Sequence, residues 1–561
     1  MLEIPVMHIT LGAMVSWVHS AGLTLVSFAV LISVIVFFHE LGHLLVGKWL
    51  GVKAVRFSIG FGPRLFGVQW GETEYRVSLL PLGGYVKFAG DNPLEQLPPE
   101  DQGRGFLEQP PRKKAAIAFA GPAANFLLAL ILYFAVNAAP HRDLAARVGY
   151  VKPGSPAAQA GVQYGDRIVA VDGEKVDGFL MLQEKIRAHA GQLLTLTIDR
   201  GGQRFDVRVT PSIHEETNPI ETVKQGRIGI SAAPRIAEIA VAAPDTPAAR
   251  AGLKTFDLVV KIAGQPVPNY EELERRLPSL RGPVPVEVLR RREVPSPGGT
   301  LWVQDPVHLT LDAAGTASGI ECADLNLFAV QPGSAADEAG LRRGDRVIAI
   351  DGKPVLWWFD EVETVRRAKG AEPFPMTVRR DGEVLTMTVK QHLRAERDES
   401  GIRVQVPELG AAADAAIFSG ETERISVRYP IGEAVSRSFA ETAGSIRGLA
   451  LGIAKIVSGR ISSEAIGGPI MIADVARKAA DAGWQMFVYV MAMISVNLGL
   501  MNLIPLPVLD GFHVLSAGIE GIRRRPLSLR FREIANVVGI ALVLGLMLFA
   551  LRNDAMRKFF E

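Results

Sequence analysis

Four apolar runs constrain this chain more than any other feature. Ala21–Phe38, Ala115–Ala139, Gly483–Leu509 and Ile534–Leu551 contain no charged side chain, and each reaches the roughly 18–20 residues that a helix needs to cross the hydrocarbon layer of a bilayer. Backbone groups in lipid have no water to bond, so these runs are predicted to be helices, whose amides are satisfied internally. Composition agrees: of 561 residues, 48% are hydrophobic and only 21% charged, which is more apolar than a soluble chain of this length. No basic cluster precedes the first run and no small-residue cleavage site follows it, which marks a retained span rather than a signal peptide.

Basic residues orient the spans. Lys48, Lys53, Arg56 and Arg64 lie between the first two runs, and Arg112, Lys113 and Lys114 directly precede the second. The loop between the last two holds Arg523, Arg524, Arg525, Arg530 and Arg532. Short flanks rich in Lys and Arg stay cytoplasmic, so both termini and the long segment between the second and third runs are expected outside. A formal net charge of +2 gives no electrostatic footprint for a nucleic-acid partner. Cys322 is the one cysteine, which excludes an internal disulfide and leaves any outer domain to be held by its core.

The outer segment contains a repeat. Pro153-Gly-Ser-Pro-Ala-Ala-Gln-Ala-Gly161 is followed by Gly165-Asp166, Ile168–Val171 and Asp172-Gly173; Pro332–Gly340, Gly344-Asp345, Val347–Ile350 and Asp351-Gly352 restate it at identical spacing. A weaker copy between them runs through Thr246–Gly252, Phe256-Asp257, Leu258–Ile262 and Ala263-Gly264. Equal spacing marks three related modules. Ser155 reads as a helix start and Gly161 as a left-handed helix stop, while the Gly-Asp and Asp-Gly pairs make tight turns. The order resembles the PDZ domains of bacterial membrane proteases, with modules expected over residues 145–212, 228–312 and 319–392. PDZ modules bind an extended peptide by strand addition, so the resemblance implies peptide or protein termini as partners. Val148–Val151, with Gly149 and Tyr150, and Leu327–Val330 either line such a groove or are ordinary core strands. Phe256 replaces the glycine of the other copies and points to a structural role for the middle one.

The first run ends in His39-Glu40-Leu-Gly-His43. At 3.6 residues per turn, positions 39 and 43 share a helical face, so two imidazoles can grip one ion, with Glu40 beside them to take a proton from water. Ionisable groups at membrane depth are costly unless they line a cavity or bind something; the plainer reading is polar pairing within a helix bundle. Zinc in a hydrolase takes a third protein ligand and keeps an open position. The candidates are Asp510, which follows the proline-broken stretch from Asn502 through Pro505 and Pro507, and His513. Broken backbone at that depth is tolerated only beside a cavity. Depth brings three segments together. His39 lies about 24 Å into a layer of about 30 Å, the proline break reaches the same side, and Gly121-Pro122-x-x-Asn125 falls about 9–15 Å from the cytoplasmic end of the second span.

His39-Glu40-x-x-His43, Gly121-Pro122-x-x-Asn125 and Asn502-x-x-Pro505-x-Pro507-x-x-Asp510-Gly511 together resemble the signatures of the site-2 protease family, over nearly the whole chain. The resemblance implies a multi-pass α-helical membrane protein with four transmembrane helices and inserted α+β PDZ-like domains. It implies zinc held by His39, His43 and Asp510, Glu40 as general base, and Asn502 holding the substrate backbone. Expected partners are membrane lipid and single-span membrane proteins, such as an anti-sigma factor or remnant signal peptides. The expected location is a bacterial inner membrane, with the active site toward the cytoplasm and the modules in the periplasm. Arg56–Gly62 through Gly83–Phe88 alternates like strands, and the family resemblance makes it a sheet that dips into the membrane; otherwise it is a cytoplasmic hairpin. Ile431–Ile466 reads as an amphipathic helix near the outer surface, and Gly467-Gly-Pro-Ile470 resembles the family's turn before the third span. Three modules rather than one or two, and Phe512 where a second glycine is usual, depart from the pattern.

Two rivals remain on the sequence alone. A non-catalytic membrane scaffold has no use for the full set of His39, Glu40, His43 and Asp510. A metal transporter is poorly served by four spans and one compact cluster on one side.

Overall fold

A computed structural model describes residues 11–92, 97–217, 221–296, 299–397, 403–461, 463 and 466–559. Two units emerge, one formed by the chain before His141 and after Val427, the other running from His141 to Val427. In the first unit, four helices are long and apolar enough to cross a membrane: Gly22–Trp49, Pro111–Ala138, Trp484–Asn502 and Arg530–Arg557. Small residues set their spacing. A Cβ on Gly42 of the first helix would stand 2.8 Å from the Cβ of Ala124 and collide with the Ala120 carbonyl; one on Gly499 of the third would press on the Pro122 carbonyl. The second helix is thereby held close between the first and third, as small-residue packing in lipid requires.

The third helix stops at Asn502 because Pro505 and Pro507 cannot donate the next ladder bonds. Val508 takes a left-handed φ of 84°, and a new helix, Asp510–Arg523, begins with Asp510 in its first turn. Gly511 permits that reversal, since a Cβ there would collide with the Leu503 carbonyl. Between the first two helices, Ala54–Trp70 and Thr73–Phe88 form a curled antiparallel hairpin. Phe57 pairs on one side with Val86 and on the other with Tyr75, so the stretch ending at Phe88 is an edge. The expected helix Ile431–Ile466 is shorter, Ile431–Val457, and Gly459 follows with a left-handed φ of 71°. Its buried face, Ala434, Ser438 and Thr442, continues toward the second helix, where Ser445 Oγ lies 3.0 Å from Tyr133 Oη and Asn137 donates to Glu441 at 3.1 Å. The Gly-Gly-Pro-Ile turn opens the helix Pro469–Asp481.

In the second unit the repeat becomes three modules of one topology. The four-stranded sheets run 174–175, 167–171, 194–200, 203–209 in the first, and 353–354, 346–350, 374–380, 383–389 in the third. The middle module extends its sheet into a long hairpin, Arg281–Ser296 with Gly299–Ala314. Ser155, Thr246 and Ser334 each accept an amide three residues on, as N-caps. Each module also has an ion pair that spacing did not announce: Arg200 on Asp166, Arg290 on Asp257 and Arg380 on Asp345, with Nε–Oδ1 distances of 2.6, 2.8 and 2.7 Å. The same arginines donate to the carbonyls of Gly161, Gly252 and Gly340, so one guanidinium locks the helix stop to the Gly-Asp turn.

The modules do not close where the sequence placed their ends. Tyr150–Val151 pairs with Ile230–Ser231, Glu238–Val241 with Ile320–Cys322, and Leu327–Val330 with Ala411–Ala413. Each module is completed by a strand lying beyond its repeat motif, and Ile228 belongs to the first module's core. Phe256 sits at φ 75° where Gly165 and Gly344 have 89° and 95°. Its ring stands edge-on to Phe328 of the third module, 5.3 Å between centroids, and Arg343 lies over both rings. Strain of order 1–3 kcal/mol at a non-glycine left-handed residue is offset by a module-to-module contact.

Candidate active site

His39 and His43 lie one turn apart, and their Nε2 atoms are 3.2 Å from each other. Asp510 reaches them from the start of its helix: Oδ2 is 3.0 Å from Nε2 of His39 and Oδ1 is 3.4 Å from Nε2 of His43. One ligand atom from each lies within 4.8 Å of the others, the one such His, Cys, Asp or Glu group found among the described residues. Two imidazoles and a carboxylate, all poorly exposed, are a borderline-hard donor set that suits zinc and leaves a fourth position open. The tautomer of His43 fits as well. Its Nδ1 is 2.7 Å from the Ile117 carbonyl, which can only accept, so Nε2 carries the lone pair a metal needs.

The second helix makes room for this cluster. A Cβ at Gly121 would stand 2.8 Å from Cε1 of His39 and collide with Nε2 of His43. Asn125, one turn on, puts its side-chain amide 3.2 Å from Nδ1 of His39. Asn502, at the end of the third helix, lies 3.2 Å from Nε2 of the same ring. His513, the other candidate ligand, lines the cavity and stands outside the cluster. Phe512 lines it too, beside His513.

Glu40 faces the same cavity, of about 470 Å³, together with Tyr85 and Val86 of the hairpin edge. A Cβ on Gly84 would stand 3.2 Å from Cγ of Glu40, so the edge runs against the glutamate. Two residues read in the sequence only as basic flanks also reach the cavity: Lys114 donates to Glu520 at 2.5 Å, and Arg532 contacts the same carboxylate. Their signal is purely spatial, because 406 positions separate Lys114 from Glu520.

Of Gly149 and Tyr150, read as possible groove residues, Tyr150 lines the open cleft of its module and Gly149 faces the backbone of the neighbouring strand. A Cβ on Gly149 would collide with the backbone of Ala232–Pro234, and the strand edge is taken by Ile230–Ser231. The open cleft of this module, about 260 Å³, lies instead between residues 226–231 and the helix Phe179–Ala188. Tyr150 contributes a wall of it, with its ring stacked on Trp357 of the third module at 5.1 Å.

Two imidazoles, a carboxylate and a neighbouring glutamate, set among apolar helices, form the kind of site found in metallopeptidases. Comparison with known proteins gives the family. A sequence profile of Peptidase family M50 matches residues 27–546, and the chain belongs to that family, the site-2 proteases; it is a bacterial membrane metalloprotease. A Ralstonia nicotianae protein provisionally named a zinc metalloprotease is 31% identical over 547 residues, covering 96% of this chain and 99% of its own. The regulator of sigma-E protease of Salmonella typhimurium is 29% identical over 536 residues, covering 95% and 98%. A solved PDZ domain protein from Parabacteroides distasonis covers 49% of this chain and all of its own at 11% identity, with a TM-score of 0.12, too loose to carry an argument.

Proposed function

We propose that this protein hydrolyses peptide bonds within the membrane-spanning segments of single-span proteins, using a zinc ion held by His39, His43 and Asp510. The observation that carries the reading is the convergence of those three side chains on one cavity that also contains Glu40. Zinc bound there would supply Lewis acidity, activating a water and polarising the scissile carbonyl. Glu40 is the proton carrier: it takes the proton from the attacking water and delivers it to the leaving nitrogen. Asn502, which lines the same cavity, is the residue that would hold the substrate backbone. A transmembrane helix hides its carbonyls in its own hydrogen bonds, so the substrate must unwind before it reacts. The unpaired hairpin edge beside Glu40 offers replacement bonds to an extended segment.

The basic flanks support a site toward the cytoplasm of an inner membrane, with the modules on the periplasmic side. There, the cleft of the first module has apolar Phe179, Leu182 and Ile186 along its helix and Lys152 and Arg227 nearby, a setting for an extended peptide with an apolar terminal residue. In the third module, Arg366 spans the matching cleft and donates to the Pro407 carbonyl, so the first module is the better receptor. Anti-sigma factors and remnant signal peptides fit as substrates.

The test uses the full chain in detergent with a single-span test substrate, with and without chelator. Cleavage inside the span by the wild type, abolished by chelator and by Glu40→Gln while zinc is retained, supports the reading. Cleavage that survives Glu40→Gln would falsify the role given to Glu40.

A further inference from the structure

The two imidazoles are not supported alike. His43 has a carbonyl at Nδ1, which fixes its tautomer. His39 has the side-chain amide of Asn125 in the same position, 3.2 Å away. An amide differs from a carbonyl in one respect: rotated by 180° it presents either a donor or an acceptor at nearly the same place. As it stands, the amide nitrogen faces Nδ1, and Oδ1 of Asn125 is buried with no hydrogen-bond partner. Orphaned buried acceptors are rare in folded proteins and costly. With the nitrogen facing, Nδ1 accepts and Nε2–H donates to Asp510, 3.0 Å away. That arrangement leaves His39 without a lone pair for a metal at Nε2 and sets the amide nitrogen of Asn502, 3.2 Å away, against a second donor.

We propose that Asn125 is a positioning residue that sets the tautomer of His39: with its amide rotated, Oδ1 accepts the Nδ1–H and frees the Nε2 lone pair to converge with His43 and Asp510. The proposal rests on the metalloprotease reading of the site. Rotation gives the orphaned oxygen the partner it lacks, and the backbone can stay fixed while it happens. Ser495 donates to the Asn125 carbonyl at 2.9 Å, and a Cβ on Gly499 would lie 3.3 Å from that of Asn125. The helix is therefore held by its neighbour, and the two arrangements differ only in the side-chain torsion.

The experiment measures zinc affinity by competition with a chromophoric chelator, and the visible spectrum of the cobalt-loaded protein, on full-length chain in detergent. Asn125→Leu removes the acceptor and is expected to weaken zinc about 10- to 100-fold, the usual effect of losing an outer-shell partner. Asn125→Asp can only accept, so it is expected to bind zinc at least as tightly as wild type and to keep the cobalt spectrum. A structural role alone would not separate these two variants in that order. Wild-type affinity in Asn125→Leu overturns the proposal, and so does an Asn125→Asp protein that binds as weakly as Asn125→Leu; the Asp variant alone decides if the Leu variant fails to fold. His39→Ala distinguishes the underlying reading: if it binds zinc like wild type, the metal site itself is elsewhere.

Discussion

Glycine 121 shows how much of the site depends on a missing side chain. Both imidazoles occupy the space a Cβ would need, so Gly121→Ala is expected to push the rings apart and lower zinc affinity by about tenfold or more, with helix content by circular dichroism unchanged. Glu238, in the middle module, is the opposite case, a charge where a charge is costly. It is fully buried and neither of its oxygens receives a hydrogen bond, although a guanidinium nitrogen of Arg291 lies 3.1 Å away. Burial outweighs that cation and pushes its pKa up to about 7 from 4.5. A carboxyl raised in the folded state stabilises fully below pH 4.5, and the gain is lost as pH rises toward 7. The shift corresponds to on the order of 3 kcal/mol. Glu238→Gln should remove that dependence: denaturant midpoints of the full chain measured from pH 4.5 to 8 should fall less steeply than in wild type. Equal slopes would mean that Glu238 ionises freely.

Among the elements, the last helix has an anchor that its sequence conceals. Asp554, near the end of Leu529–Phe559, accepts the amides of Gly468, Ile470 and Met471 at 2.9, 3.0 and 3.1 Å. Asn553 donates to the carbonyls of Ser463 and Ile466. The Gly-Gly-Pro-Ile turn is thus capped by a carboxylate from far along the chain, and the positive end of the helix Pro469–Asp481 meets a negative group. Hydrogen bonds to a charged group contribute about 1.5–3 kcal/mol. Asp554→Ala should therefore lower the unfolding temperature in detergent by several degrees, with Asp554→Asn intermediate; equal melting of all three would leave the anchor without energetic weight.

At the scale of the whole molecule, the second unit begins and ends on one short ladder, His141–Leu144 with Arg424–Val427, in which Leu144 pairs with Arg424. The three modules therefore form an insertion that a tight turn could replace. A chain in which a short Gly-Ser turn replaces residues 145–423 should still cleave a substrate with a trimmed outer domain. If the modules act as a size filter, it should also cleave the untrimmed form, compared in vesicles against wild type. Unchanged selectivity would remove filtering from the modules' role. The modules also work on one another: Tyr150 of the first stacks on Trp357 of the third, and Lys152 pairs with Glu361 at 3.0 Å, so the first module's cleft is partly built by its neighbour.

What the sequence determined by itself is whatever depends on near neighbours along the chain. Charge-free runs have to be helices in lipid, His39 and His43 share a face because four residues make about one turn, and equal spacing of Pro-Gly-Ser, Gly-Asp and Asp-Gly turns announces repeated modules. The family signatures extended that reading to Asp510. Tertiary structure alone decided what depends on distant partners. It set Asn125 behind His39, closed each module with a strand from beyond its motif, and turned Tyr150 but not Gly149 into the open cleft. The physical reason is the same throughout. A periodic pattern fixes which way a side chain points within its element, but helix packing and strand pairing across tens to hundreds of residues choose what it meets, and those contacts leave no local trace.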